Sequence, residues 1–335
     1  MKNLKLKLFG PVLLISLFIG LVACEAETIA EMEPPKDAPS KAMNDGPPPK
    51  KGPPPEKGPP PKKGDVPAPG RSPALNQALG NLTSEGELTV CTDAPYEPFE
   101  YEDDMGNWTG FDMDIMRDIS GRMGLELAVK VVPFDGIWLL PASGECDIVA
   151  SAMTITEERA KSTLFTNPYF DADQSLLVRT SDADKFDTLG SLSGNSIAVQ
   201  TGTTGEMYAQ ENAPSDTTLV SFDEPAAMFL ALQSGEVDAI LQDLPVNGDR
   251  QRNNPSFTMT EVFPTGEQYG FAVSPKNKPL ADVVNDMMEE MMMDGVYEMI
   301  FNAYFGPVGD VEPIKVGMIL VGPRNDKGWS QAHFE

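Results

Sequence analysis

Histidine is almost missing from this chain of 335 residues: His333, close to the end, is the only one. The body of the chain therefore lacks the commonest general base and the commonest metal ligand. That weighs against histidine catalysis and zinc-type centres, and no cofactor or metal is expected. Cysteine is scarce too, and Cys24, Cys91 and Cys146 cannot build a disulfide framework. Positive charge is in deficit, with a formal net charge of −26. Met1–Cys24 carries +3 and Glu25–Pro73 is balanced, which leaves about −29 on Ala74–Glu335. Such a surface disfavours nucleic acid as a partner. The apolar run Leu8–Ala23 is short for a membrane span and contains Gly10 and Pro11.

What is present begins with a leader. Lysines at 2, 5 and 7 precede that apolar run, the pattern of a signal peptide. It ends Leu21-Val22-Ala23-Cys24, which resembles the bacterial lipobox, where the leader is cut before a cysteine that carries lipid. Residues 1–24 are thus expected to be a lipoprotein leader with lipidation at Cys24. The expected location is extracytoplasmic, anchored to the membrane by lipid.

Residues 25–73 are low in complexity and hold a six-residue repeat, Gly46–Lys51, Gly52–Lys57 and Gly58–Lys63, each a glycine, three prolines and two charged residues. Proline triplets favour polyproline II, and almost nothing here could form a core, so a disordered tether is expected. Collagen is excluded because glycine is not every third residue.

From Ala74 to Gly306 short strand patterns alternate with helical ones, which argues for an α/β fold. Strands are expected at Glu87–Thr92, Leu125–Val132, Asp147–Ser151, Gln174–Arg179, Ser196–Gln200, Thr218–Ser221, Val237–Leu241 and Tyr269–Val273. Helices are expected at Phe111–Arg122, Thr156–Lys161, Thr203–Glu211, Glu224–Gln233, Pro279–Met293 and Val296–Tyr304. Met287/Met291 and Met288/Met292 are helical i,i+4 pairs, so core packing explains the methionine run better than a soft-metal site.

The stretch Cys146–Arg159 organises the rest. An apolar strand leads into a helix start, with Thr156 as N-cap and Glu157 and Glu158 complementing the helix dipole. Arg159 in that first turn opposes the dipole. Either it pairs with Glu157 or Glu158 at the surface, or it holds an anion together with free backbone N–H groups. Other strand ends bring Asp93 and Tyr96, then Phe134 and Trp138, then Gln200 with the small-residue turn Gly202-Thr203-Thr204, then Asp243. Ligands sit at such strand ends in open α/β sheets. Singly, each signal has a bland reading: Asp93 and Asp243 as helix caps, Phe134 and Trp138 as core. Together they offer a cation, N–H groups, a carboxylate and an aromatic slot, a set that fits a zwitterion.

Residues 74–306 resemble the family 3 extracellular solute-binding proteins, which serve polar amino-acid ABC importers. The motifs that carry the resemblance are Thr92–Tyr101, Gly110–Asp114, Phe134–Gly136, Ala152–Arg159, Gly202–Thr204, Gln242-Asp243 and Asp294–Tyr297, in that order. The resemblance implies a two-lobed, type II periplasmic-binding-protein-like fold, with a ligand cleft between lobes. Lobe 1 would span about 86–178 and 270–306, and lobe 2 about 179–269. Two hinge strands would lie near Gln174–Arg179 and Tyr269–Val273. It implies Arg159 and Thr154 on the ligand α-carboxylate, helped by backbone near Ala152 and Thr203, and Asp243 on the α-ammonium. Tyr96 and Phe134 would sandwich the side chain, while Asp93 and Gln200 face its tip. Asp93 attracts a cation or amide, so arginine, lysine or glutamine is favoured. Gly110–Asp114 is read as structural. The implied partners are the amino acid and an ABC permease, and a monomer is expected.

Cys91 and Cys146 are expected not to pair. With Asp93 level with Ser151, Cys146 in an extended strand would lie about three residues further from the cleft than Cys91, beyond the ~7 Å Cα limit at ~3.3 Å per residue. Residues 307–335 read as a linker followed by a strand, Ile314–Val321, and a loop entering a helix. This resembles the opening of the basic membrane protein family of nucleoside-binding lipoproteins, so the expectation is the truncated start of a second domain, either a fragment of a tandem binder or a remnant. Two rival functions remain open. One is an enzyme on the same fold, resembling cyclohexadienyl dehydratase, for which Asp93 and Glu97 are the nearest candidate acids. The other is a sensor module of a larger receptor.

Overall fold

The computed structural model describes Ser72–Gly306. The expected leader with Cys24, the tether up to residue 71 and the 307–335 segment lie outside the described residues. Ser72 caps the first helix, α1 (Pro73–Leu79), accepting from the Leu75 N–H at 3.1 Å. The chain continues through β1 (Glu87–Thr92), β2 (Tyr101–Glu102), β3 (Trp108–Thr109), α2 (Phe111–Met123), β4 (Glu126–Val131), α3 (Leu140–Ser143), β5 (Ile148–Val149) and β6 (Leu164–Phe165). It crosses into β7 (Phe170–Arg179), β8 (Ser196–Gln200), α4 (Thr204–Asn212), β9 (Thr218–Phe222), α5 (Pro225–Ser234), β10 (Ala239–Asp243), α6 (Leu244–Asn253) and β11 (Phe257–Tyr269). It returns through β12 (Ala272–Val273) to α7 (Lys278–Asp294) and α8 (Val296–Phe305).

Two five-stranded sheets result, in the orders β4-β1-β5-β12-β6 and β11-β7-β10-β8-β9. Each is the core of one lobe, and the fold is the expected two-lobed α/β arrangement. All ten residues of β7 lie in a strand of the second sheet, so the boundary read at residue 178 falls inside that sheet. The crossing lies some residues earlier, where Phe170 pairs with Tyr269 and Ala172 with Glu267. Phe99, Phe170, Tyr269 and Phe305 pack together there, with ring centroids 5.0–5.6 Å apart for Phe99–Phe170, Phe170–Phe305 and Phe170–Tyr269. On α7, Met287, Met288, Met291 and Met292 are all buried.

The signature segment Gly110–Asp114 is a structural clasp. Phe111 and Asp112 donate backbone N–H groups to Pro98 and Phe99 carbonyls at 2.9 and 3.0 Å, and the Tyr304 hydroxyl accepts the Gly110 N–H at 3.0 Å. The fully buried Asp112 carboxylate accepts from the Ala152 N–H at 2.9 Å and from the Tyr169 hydroxyl. Asp112 thereby fixes Ala152, whose φ of 43° is left-handed.

Cys91 and Cys146 form a disulfide, with Cα atoms 5.9 Å apart, contrary to expectation. The register was not at fault, since Cys91 is level with Val149. The error was to extend the strand back to Cys146. Strand β5 is only two residues long, and Gly144 turns the chain with φ 82° just before Glu145, so Cys146 approaches from a turn and not along the strand. The disulfide packs with Phe134, Ile137 and Met153 behind the cleft.

Candidate functional site

Arg159 sits in a short turn, and the helix expected over Thr156–Lys161 is reduced to a 3-10 segment, Arg159–Lys161. Its N-cap position falls to Glu158 and not to the expected Thr156, whose hydroxyl accepts the Arg159 N–H at 3.1 Å in the preceding turn. The side chain turns inward and is 2% exposed. It pairs with neither Glu157 nor Glu158, and Glu158 is taken by Lys161. Instead it donates to the Thr154 carbonyl at 2.7 Å and, across the cleft, to the Gly202 carbonyl at 3.0 Å. Its carbon Cζ lies 5.2 Å from the Phe134 ring centre and 5.0 Å from that of Trp138. Its Nε has no partner, and burial pulls the guanidinium down to about 10, against the nearby charges of Asp243 and Glu267.

Asp243 closes β10 and heads α6, but its side chain caps nothing. Its oxygens accept from the Tyr96 hydroxyl of lobe 1 at 2.8 Å, from Tyr269 at 2.5 Å and from the Gln174 amide at 2.6 Å. Burial, aided by the Glu267 charge, raises Asp243 to about 6, against those hydrogen bonds. Asp93 follows β1, donates its N–H to the Ser151 hydroxyl and accepts the Gln200 amide at 2.5 Å. Burial raises it to about 6 as well, with the Gln200 bond opposing and Glu224 adding to the rise. Glu100 lies fully buried behind Ser151, whose hydroxyl donates to it at 2.9 Å, and its second oxygen has no partner. Burial and the Asp112 charge push its carboxyl far up.

Asp93, Tyr96, Phe134, Ala152, Thr154, Arg159, Gln200, Thr203 and Asp243 all line one cavity between the lobes. Two of them offer less than expected. The Ala152 N–H is committed to Asp112, and the Thr154 hydroxyl donates to Glu267 at 2.8 Å. A hydroxyl has one proton, so the Thr154 hydroxyl has none left to donate to a ligand. The Thr203 hydroxyl caps α4, accepting the Glu206 N–H at 3.1 Å, and the first N–H groups of α4 have no partner within the helix. The sequence reading missed Glu100, Ser151 and Thr204 in the lining, and Gln174, Glu267 and Tyr269 just behind it. Gln174, a glutamine within the otherwise apolar end of β7, was the available signal.

Polar groups thus converge on this cleft from both lobes. A profile of the bacterial extracellular solute-binding proteins, family 3, matches residues 88–307. The chain belongs to that family. A probable histidine-binding protein of Neisseria gonorrhoeae is 31% identical to it over 228 residues, 66% of this chain and 83% of that one. ABC transporter arginine-binding protein 1 of Escherichia coli is 30% identical over 217 residues, 63% of this chain and 88% of that one. Among solved structures, an ancestral arginine-binding protein bound to glutamine matches with a TM-score of 0.63 at 36% identity, over 67% of this chain and all of the other. An ancestral amino acid-binding protein, a precursor of cyclohexadienyl dehydratase, matches with a TM-score of 0.64 at 33% identity, over 69% and 99%. These relatives are binding proteins. Among the described residues of this solute-binding protein, no helix is long and apolar enough to cross a membrane.

Proposed function

We propose that this solute-binding protein holds one cationic amino acid, arginine or lysine ahead of glutamine, and delivers it to an ABC importer. The observation that carries the reading is Arg159: a buried guanidinium with an unpaired Nε, and no carboxylate within ion-pair distance among the described residues. A buried cation of that kind is costly until an anion meets it. An α-carboxylate supplies that anion, with the Thr154 N–H and the start of α4 as further donors. Asp243 receives the α-ammonium from the other lobe. Phe134 and Tyr96 flank the side chain, and Asp93 and Gln200 meet its tip. The cavity holds Asp93 and Asp243 against one arginine, and this excess of acids favours a cationic side chain. Anchoring through a lipid on Cys24 is part of the proposal, and fatty-acid labelling that survives Cys24→Ser would remove it.

The test is calorimetric titration of the protein with the twenty amino acids. Arginine or lysine should bind one to one and most tightly. Asp93→Asn should weaken those two by about tenfold, the worth of one charge-assisted contact, and leave glutamine nearly unchanged. An equal loss for all amino acids would move Asp93 into the backbone clamp.

Affinity should also depend on pH. Asp243 and Asp93 are raised to about 6, and a bound cation holds both ionised. Below about pH 6 the free protein carries protons that binding must release, so affinity falls as pH falls and levels off above about 7. Below about pH 6, log Kd against pH should approach a slope of minus two for arginine and minus one for glutamine. A Kd for arginine unchanged between pH 5 and pH 7.5 would contradict the assignment of both carboxylates.

A further inference from the structure

Glu267 does not line the cavity, yet it holds two residues that do. Its Oε2 accepts the Thr154 hydroxyl at 2.8 Å and the Thr204 hydroxyl at 2.6 Å. The Gln174 amide adds contacts at 3.2 and 3.3 Å. Thr154 belongs to lobe 1 and Thr204 opens α4 of lobe 2. Both face the cavity on one side and, on the other, an open groove that Glu267 shares with them. Glu267 itself stands on β11 opposite Ala172 of β7, in the strand pair where the chain passes between lobes.

We propose that Glu267 is a hinge-side latch: one carboxylate oxygen joins a threonine from each lobe and so sets how readily the cleft closes. The two hydroxyl oxygens lie 3.4 Å apart, and opening the lobes must part them, so one of the two charge-assisted bonds breaks on opening. The other interlobe contacts differ in kind. Tyr96–Asp243, Gln200–Asp93 and Arg159–Gly202 involve groups of the cavity itself, which a ligand would engage. Arg250–Glu97, at 3.7 Å on the outer rim, is partly exposed and worth little. The Glu267 bonds run between protein groups behind the cavity wall, so their contribution to closure adds to that of any ligand. A shift towards the closed state raises apparent affinity by enlarging the competent fraction. Glu267 is in this sense a positioning residue, acting through Thr154 and Thr204.

The effect on affinity rests on the amino-acid reading above; the effect on lobe separation does not. The test uses dyes on Met105→Cys and Leu230→Cys, exposed positions on opposite lobes, with interlobe energy transfer read without ligand and arginine release read by stopped flow. Glu267→Ala should widen the interlobe distance and speed release by roughly tenfold, with association nearly unchanged. Glu267→Gln keeps an oxygen acceptor and should restore most of both. If Glu267→Ala does not fold, Glu267→Asp, too short to reach both hydroxyls, should give the same two changes. Wild-type distance and release rate in Glu267→Ala, or in Glu267→Asp where it stands in, would overturn the latch, as would a Gln variant that behaves like Ala. If arginine fails to bind the wild type, the functional reading falls, and the distance measurement alone decides the latch.

Discussion

Arg159→Ala should weaken amino-acid binding by on the order of 2–5 kcal/mol, about 30-fold or more. The side chain is 2% exposed and spans the cleft, from the Thr154 carbonyl in one lobe to the Gly202 carbonyl in the other. Its removal leaves a ligand carboxylate in a desolvated cavity with backbone N–H donors only, and most of the cost is that stranded charge. Stability should not fall by a like amount, because a buried guanidinium with an unpaired nitrogen is itself unfavourable to the fold. Asp243→Asn should show a loss of similar size. Asparagine is the better substitute here, since alanine would orphan the buried Tyr96, Tyr269 and Gln174 donors together. Titration calorimetry and the thermal midpoint with and without ligand separate the two effects, because a binding-dead but folded variant loses the ligand-induced rise alone. Wild-type affinity in either variant would break the zwitterion assignment.

Gly110→Ala should cost about 3–5 kcal/mol of stability, from a forbidden backbone conformation of about 1–3 kcal/mol and overpacking of a similar size. Gly110 has φ 116° and ψ 165°, a region that side-chain-bearing residues do not tolerate. A Cβ there would meet the Phe99 carbonyl oxygen at 2.2 Å, its carbon at 2.4 Å and the Glu100 nitrogen at 2.8 Å. All three are backbone atoms, held by the hydrogen bonds that Phe111 and Asp112 donate to Pro98 and Phe99. The turn that presents Tyr96 and Glu100 therefore has nowhere to go. For a domain of this size the thermal midpoint should drop by about 10 °C. A drop under about 2 °C would mean the clasp is not tight.

The strand-end residues were legible because strand ends are written in the sequence. Asp93, Gln200 and Asp243 each follow a short β-branched or aliphatic run, and β1 and β8 have the bounds read from it. Arg159 was legible as an anomaly, a cation where the helix dipole disfavours one. Strand β11 was not legible. Pro264 and Gly266 interrupt its pattern, and its register shifts between Met259 and Glu261 and again between Phe263 and Glu267. Glu267 and the hinge were hidden with it. Helix α6 was missed because Pro245, Asn247 and Gly248 are poor helix formers, and burial of Asn247 against Ser175 and Gln242 overrides that preference. The disulfide was lost to one assumption, an extended conformation at Cys146.

The central claim is that Arg159 and Asp243 grip the two ends of one amino acid. Comparing arginine with agmatine, which keeps the guanidinium and an amine but lacks the α-carboxylate, tests it most directly. Calorimetry should give one-site binding for arginine and a Kd at least 30-fold weaker for agmatine, a gap that closes in Arg159→Ala. Agmatine binding the wild type as tightly as arginine would contradict the account.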